Sequence, residues 1–399
     1  MAEQEGQPGG AWEVFRAFLG LGLTSFGGPV AHLGFFRTAF VARRAWLSDQ
    51  AYGELVALCQ FLPGPASSQV GFAIGWIRAG PLGGLAAWAA FTLPSAILMV
   101  LVAFGASVFE GAAGAALLQG LKLVAVAVVS HALWGMARTL CPDLQRAGLA
   151  AASTVIMLLA GTAWLQVMVI ALGGLAGLWL CREVETAPSA RLEIPVPRRL
   201  AIACLALFFV LLVGLPLLAQ NGTAIAMVDA FYRAGALVFG GGHVVLPLLE
   251  AELVRQGGVG AERFLAGYGA AQAVPGPLFS FAAYLGAAME TGPNGILGAA
   301  IALVAIFLPG LLLLIGVLPF WSALAAQPGA RAALAGANAA VVGLLAAALY
   351  DPVWISAVRA PQDLALALIG FALLAVWRAS PLVVVTAMLL SNLALAWIF

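Results

Sequence analysis

Two short stretches of this chain combine proline, glycine and hydroxyl residues where an apolar run would not tolerate them without a reason. Gln60–Gln69 reads QFLPGPASSQ and Gln272–Phe281 reads QAVPGPLFSF. A proline inside a helix removes a backbone donor and clashes with the turn before it. Pro63-Gly64-Pro65 and Pro275-Gly276-Pro277 therefore each predict a break followed by a new helix start. Such a start presents unpaired N–H groups and the positive end of a helix dipole, which together suit an anion. Proline fits the first helical position, where no N–H is needed. Ser67, Ser68 and Ser280 fall in the first turn after the breaks, where a hydroxyl caps the helix or binds an oxyanion. Two further runs, Phe26-Gly27-Gly28-Pro29 and Phe239-Gly240-Gly241-Gly242, predict a second break in each half, with backbone that lets a ligand approach closely. Gln60 and Gln272, three residues before each triplet, are candidate polar lining.

Ionisable residues inside apolar stretches are costly and functional by default. The single lysine, Lys122, sits in AALLQGLKLVAVAVV. It is either a snorkelling side chain or a cation at the site. Arg16 and Arg233 lie near the starts of two apolar stretches, as interfacial anchors or as cations beside the site. His32 and His243 follow the glycine runs. Each is read as a neutral imidazole satisfied by carbonyls or as a proton carrier, and Glu54, at the head of the first PGP segment, is a third candidate for proton coupling.

The elements that must position these groups follow from composition. Of 399 residues, 63% are hydrophobic and 9% charged, and the mean hydropathy is +1.05. A soluble domain carries roughly 25% charged residues, so this chain cannot build a water-facing surface and must face lipid. It reads as an all-α polytopic membrane protein. A formal charge of +1 argues for no nucleic-acid partner. Cys59, Cys141, Cys181 and Cys204 show neither CxxC nor Cys/His metal spacing, so no metal or cofactor is expected. The start MAEQEGQPGG has no basic region or cleavage pattern and is expected to stay attached without fixed structure.

A spanning helix needs roughly 20 apolar residues. Thirteen stretches approach that length, near 14–34, 53–77, 81–109, 115–138, 147–162, 163–181, 199–219, 228–249, 264–289, 294–321, 332–350, 362–378 and 380–399. Residues 182–198, rich in charge and proline, read as a linker. The PGP triplets recur at an offset of 212 and the glycine runs at 213, and Gly80-Pro81-x-Gly83 recurs as Gly292-Pro293-x-Gly295. This order predicts an N-terminal repeat (1–181), the linker, a connecting transmembrane helix (199–219) and a C-terminal repeat (220–399). If every stretch spans, an odd number of crossings inverts the second repeat, a common transporter architecture with its site at mid-membrane. If one PGP hairpin in each half is re-entrant, the halves are parallel instead. Eleven loop arginines on one side against four on the other place the N-terminus in the cytoplasm, with Arg37, Arg43 and Arg44 dissenting.

For one motif alone, helix packing is the simpler reading; the pairing of motifs in both halves favours a binding site. No Walker sequence, HExxH or paired-carboxylate motif is present. A secondary transporter is favoured, with a passive anion channel, a membrane enzyme acting on lipid phosphates and a structural partner as rivals.

Gly22–His32 (GLTSFGGPVAH), Trp46–Gly75 (WLSDQAYGELVALCQFLPGPASSQVGFAIG), Phe239–Glu250 (FGGGHVVLPLLE) and QAVPGP resemble the chromate ion transporter family in its long, two-repeat form, across residues 12–399. The resemblance implies export of chromate from the bacterial cytoplasm across the inner membrane, driven by membrane potential or a proton gradient. It also implies sulfate as a competing dianion and oppositely oriented halves. Gly242 stands where Pro29 does, and His243 aligns with Val30, so an asymmetric site is expected. A homodimer remains open at this stage.

Overall fold

In the computed structural model, residues 9–105, 111–160, 162–181, 194 and 196–398 are described, and every regular element among them is helical. The start of the chain and most of the expected linker, 182–198, lie outside the described residues. In the first half, α1 (Ala11–Thr24) stops at Ser25, and α2 (Gly28–Phe36) resumes after Gly27 and continues as a π-helical turn, Arg37–Arg43. Next, α3 (Asp49–Phe61) ends at the first PGP triplet and α4 (Ala66–Phe104) begins after it. The half closes with α5 (Gly111–Leu140), α6 (Leu144–Ala160) and α7 (Ala163–Leu180). One helix, α8 (Arg198–Leu218), stands between the halves.

The second half repeats the order. After α9 (Thr223–Ala236) comes a break, then α10 (Val245–Leu249) and a π-helical turn, Glu250–Val254. Then α11 (Ala261–Ala271) ends near the second PGP triplet, and α12 (Phe281–Ala287) and α13 (Gly295–Val317) follow it. The chain continues through α14 (Trp321–Ala325), α15 (Pro328–Ala348), α16 (Ile355–Ala357), α17 (Pro361–Ala375) and α18 (Pro381–Ile398). Among the described residues, five helical segments are long and apolar enough to cross a membrane, and shorter apolar helices accompany them. The thirteen expected stretches reappear, and the four that carry PGP or glycine runs are interrupted where the sequence predicts.

The helix α4 is not one rod. Ala79 and Gly80 leave helical geometry, Gly80 with φ of 64°, and the chain folds back there. Gly75 then lies so close to Gly83 that a Cβ on either would collide with the other's carbonyl. In the second half Gly286 of α12 and Gly298 of α13 make the same reciprocal contact. In the first half, aromatic packing closes the broken segment on itself. Phe18 of α1 stacks on Phe40 at 4.6 Å between centroids and meets Phe36 edge-on at 5.5 Å.

One long helix of each half, α5 and α15, is exchanged. The helix α5 packs against α17 and α18, while α15 packs against α6 and α7. Both are central: Leu123–Val129 of α5 and Ala339–Leu345 of α15 are continuously buried, as a helix apolar on all sides must be.

The glycine contact generates a stability prediction. Gly298→Val should lower the apparent melting temperature in detergent, by the equivalent of about 3 kcal/mol, because backbone rather than a movable side chain must yield. Gly20→Val, at an exposed site with nothing within 4 Å of the new Cβ, should melt like the wild type.

Candidate functional site

Both PGP triplets are true breaks. Gly64 and Gly276 adopt φ of 119° and 100°, in the left-handed region that glycine enters at no steric cost. The turn aims each glycine amide at the other half. Gly64 N–H donates to Val238 O at 2.7 Å, and Gly276 N–H donates to Ser25 O at 2.9 Å. Ser25 and Val238 immediately precede the two glycine runs, so each triplet is tied to the opposite half's other break. The same glycines pack across the seam on the proline-containing helices. A Cβ on Gly64 would lie 3.1 Å from Gly310 Cα, and one on Gly276 would lie 2.9 Å from Ser95 Oγ. Leu93-Pro94-Ser95 and Leu308-Pro309-Gly310 are thus a further repeated signature, at an offset of 215, that the motif reading missed.

The triplet glycines therefore spend their amides on the seam, and the free donors lie just beyond. The first amide of α4 to find a carbonyl is that of Gln69, which donates to Pro65 O at 3.0 Å. The amides of Ala66, Ser67 and Ser68 precede it, among the orphans that every helix start carries. Around them the first half gathers buried polar groups. His32 places Nε2 3.2 Å from Ser25 O and Nδ1 3.5 Å from Ser67 Oγ, with its ring edge-on to Phe91 at 5.2 Å. Ser25 Oγ, Ser68 Oγ, Thr92 Oγ1 and Trp88 Nε1 are buried with no protein partner. Trp88, Thr92 and Ser95 share one face of the second arm of α4 by their spacing, and Ser95 Oγ donates to Thr92 O at 2.8 Å.

The matching positions of the second half are apolar. Val238 replaces Ser25, Val245 replaces His32, Phe279 replaces Ser67 and Phe307 replaces Thr92. Phe307 meets Trp88 edge-on at 5.7 Å and packs at a tilt on Phe279 at 5.6 Å. One wall of the seam is therefore polar and the other dry. Ser280 is the exception, a buried hydroxyl at the start of α12.

The remaining sequence candidates divide. Gly242 packs against the Pro29 ring, with a Cβ position 3.5 Å from Pro29 Cγ, which brings the two glycine runs together. Gly28 and Gly241 are half-buried, whereas Gly27 and Gly240 are exposed. Pro65, Pro275 and Pro277 are buried and Pro63 half-buried. Gln60 turns out to be exposed, and Gln272 donates to Tyr268 O at 3.4 Å. Gln69, which the sequence reading passed over, supplies the seam instead, donating to Pro63 O at 3.1 Å and Gly310 O at 2.9 Å. His243 pairs with Tyr268 Oη at 2.7 Å, and Glu54 is half-buried on α3.

The three cations are engaged or turned away. Arg16 is exposed on α1. Lys122 is buried but donates to Glu262 Oε1 at 2.7 Å, at the far end of α11 from its triplet. That hydrogen bond holds the Glu262 carboxyl below its ordinary range. Arg233 is bound by Asp229 and Glu252, at 2.6 and 3.0 Å. Among the described residues no group of three His, Cys, Asp or Glu is arranged to hold a metal ion.

Residues 12–178 and 225–393 match the chromate transporter family, one stretch in each half. The chain belongs to that family. Its similarity to individual proteins of this kind is nearly full-length. A probable chromate transport protein of Synechococcus elongatus is 26% identical over 94% of this chain and 93% of its own. Chromate transport proteins of Pseudomonas aeruginosa and Cupriavidus metallidurans are 26% and 27% identical, each over 96% of this chain and 91% and 92% of theirs. No solved structure matches the chain.

A buried hydroxyl without a partner costs about 1–3 kcal/mol. Thr92→Val, which keeps the shape and removes the hydroxyl, should therefore raise the melting temperature of the ligand-free protein. A fall would mean that Thr92 Oγ1 has a partner in the folded state.

Proposed function

We propose that the protein is a secondary transporter exporting chromate, and tetrahedral oxyanions of sulfate shape, across the bacterial inner membrane. The observation that carries this reading is the set of buried donors with no protein acceptor in the broken segments of the first half. A tetrahedral dianion offers only acceptor oxygens and needs such donors. The helix start adds roughly half a positive charge, and the dry wall of the second half strengthens every interaction by lowering the local dielectric. Ser68, Ser25 and Thr92 donate hydroxyls, Trp88 its indole N–H, and Ala66, Ser67 and Ser68 their amides, while the Ser67 hydroxyl donates to His32 Nδ1. His32 orients Ser67, and Ser280 faces the anion from the opposite half. Relatives that bear the name of chromate transport proteins support the choice of substrate.

The direction of transport follows from charge. Each elementary charge gains about 2.3 kcal/mol per 100 mV, so a dianion leaving a negative interior is driven outward. Loop arginines put the N-terminus in the cytoplasm, and the extra crossing at α8 sets the two repeats in opposite orientation. Movement of the broken segments at the seam exposes the anion to each side in turn, in alternating access.

Purified protein in proteoliposomes loaded with unlabelled chromate, with the membrane potential clamped at zero, should transiently concentrate labelled chromate by counterflow, which a channel cannot do without a potential. Unlabelled sulfate should compete. Ser67→Ala with Ser68→Ala should raise the half-saturating concentration about tenfold or more, since hydrogen bonds to charged groups contribute roughly 1.5–3 kcal/mol. An unchanged value would move the site away from α4, and conductance without counterflow would make the protein a channel.

A further inference from the structure

Away from the hydroxyl-lined seam, the second half buries three ionic side chains that holding an anion does not explain. Asp229 and Arg233 lie one turn apart on α9, just before the glycine run, and Glu252 lies in the π-helical turn beyond it. A single nitrogen, Arg233 Nη2, donates to Asp229 Oδ2 at 2.6 Å and to Glu252 Oε2 at 3.0 Å. Gln256 donates to the same Glu252 oxygen at 3.2 Å. The Trp164 ring of α7 covers the guanidinium at 5.1 Å. Asp229, Arg233 and Glu252 are only 5, 8 and 7% exposed, and Arg233 Nε is buried with no acceptor.

These charges do not balance. Two carboxylates share one guanidinium, and an uncompensated buried charge is costly. Two carboxyls competing for one cation do not both stay ionised when a proton on either restores neutrality. A metal cation has no place here, because Arg233 Nη2 already occupies the point between the two oxygens. We propose that Asp229, Arg233 and Glu252 form a proton-binding site that couples proton movement to oxyanion movement. The proposal rests on the transport reading above and assigns its coupling ion.

The neighbouring charged groups are committed elsewhere. On the same turn, Glu250 pairs with Arg255 at 3.3 Å. On α11, which packs against the turn, Arg263 pairs with Glu290 at 3.4 Å and Glu262 with Lys122 at 2.7 Å and Arg359 at 3.4 Å. Beside α9, α13 carries no ionisable side chain, and α8 holds Arg198 and Arg199 exposed on its first turn. The turn that carries Glu252 borders accessible space. Gln256 is exposed, and a cavity of about 180 Å³ lined by Gln166, Pro247, Glu250, Arg255, Tyr350 and Asp351 adjoins the same turn.

The triad spans the break and is wired to the seam. Arg233 O accepts the Leu237 N–H at 3.1 Å, and the next carbonyl, Val238 O, accepts Gly64 N–H at 2.7 Å. Protonating Glu252 weakens its bond to Arg233 and releases α9 from the π-helical turn. The first PGP triplet, hydrogen-bonded two residues further along, then moves with α9. Arg16, Gly20 and Ala39 stand at the matching positions of the first half, so one such site exists per chain and one proton accompanies each cycle.

The test uses proteoliposomes with the membrane potential clamped and labelled chromate as probe. A one-unit pH step should drive roughly tenfold accumulation by the wild type for the one coupled proton. Glu252→Gln and Asp229→Asn should abolish that accumulation, while counterflow persists and no longer varies with pH. Glu252→Asp, which keeps the carboxyl, should restore the pH response and guards against a folding defect in the amide variant. Persistence of pH-driven accumulation in both amide variants overturns the proposal, as does wild-type counterflow that ignores pH. Absence of any oxyanion counterflow in the wild type would overturn the transport reading, and this site's role with it.

Discussion

Two backbone hydrogen bonds, Gly64 N–H to Val238 O and Gly276 N–H to Ser25 O, govern the arrangement of everything around them. A helix interrupted within a bilayer exposes amides and carbonyls that lipid cannot satisfy, so each interruption must find partners inside the protein. Here each half completes the other. The triplet of one half supplies the donor, and the residue before the glycine run of the other supplies the acceptor. The positive φ at both glycines, the bare Cα surfaces of Gly64 and Gly310, and the small side chain of Ser95 all follow from the need to bring these groups within hydrogen-bonding distance.

A backbone frame repeated twice need not carry side chains repeated twice. The frame is matched between halves, yet hydroxyls and His32 line the first half while valines and phenylalanines fill the second. The acidic pair around Arg233 inverts that bias, belonging to the second half alone. One repeat has become the polar wall of the seam, and the other holds a charged cluster beside its own break. Division of labour of this kind is open to a duplicated fold because the seam depends on main-chain groups, which are indifferent to the side chains beside them.

The breaks were legible in the sequence because proline and glycine act locally: PGP and FGG needed no tertiary information to mark an interruption. The end of one apolar stretch at 77 and the start of the next at 81 likewise marked the turn that folds α4 back. Satisfaction of polar groups was not legible, since the acceptor for Gly64 lies in the other half and the partner of Lys122 is Glu262. Gln60 and Gln69 flank the same triplet and only packing decides which meets Gly310. Ser25 and Thr92 look like ordinary hydroxyls of membrane helices, which bond their own carbonyls, until the fold buries them without one. The Asp229–Arg233 spacing of four was readable as a helical ion pair. Glu252 joined it only because the chain turns back after the glycine run.

The exchange of α5 and α15 between halves bears on how the chain is made. When α5 leaves the ribosome, the surfaces that will enclose it, α17 and α18, have not been synthesised. An apolar helix with a buried lysine must therefore wait, held by lipid or by the insertion machinery, until translation is nearly complete. Contacts so distant along the chain form slowly, and a product truncated before residue 361 would leave α5 without two of the helices that cover it, for quality-control proteases to find.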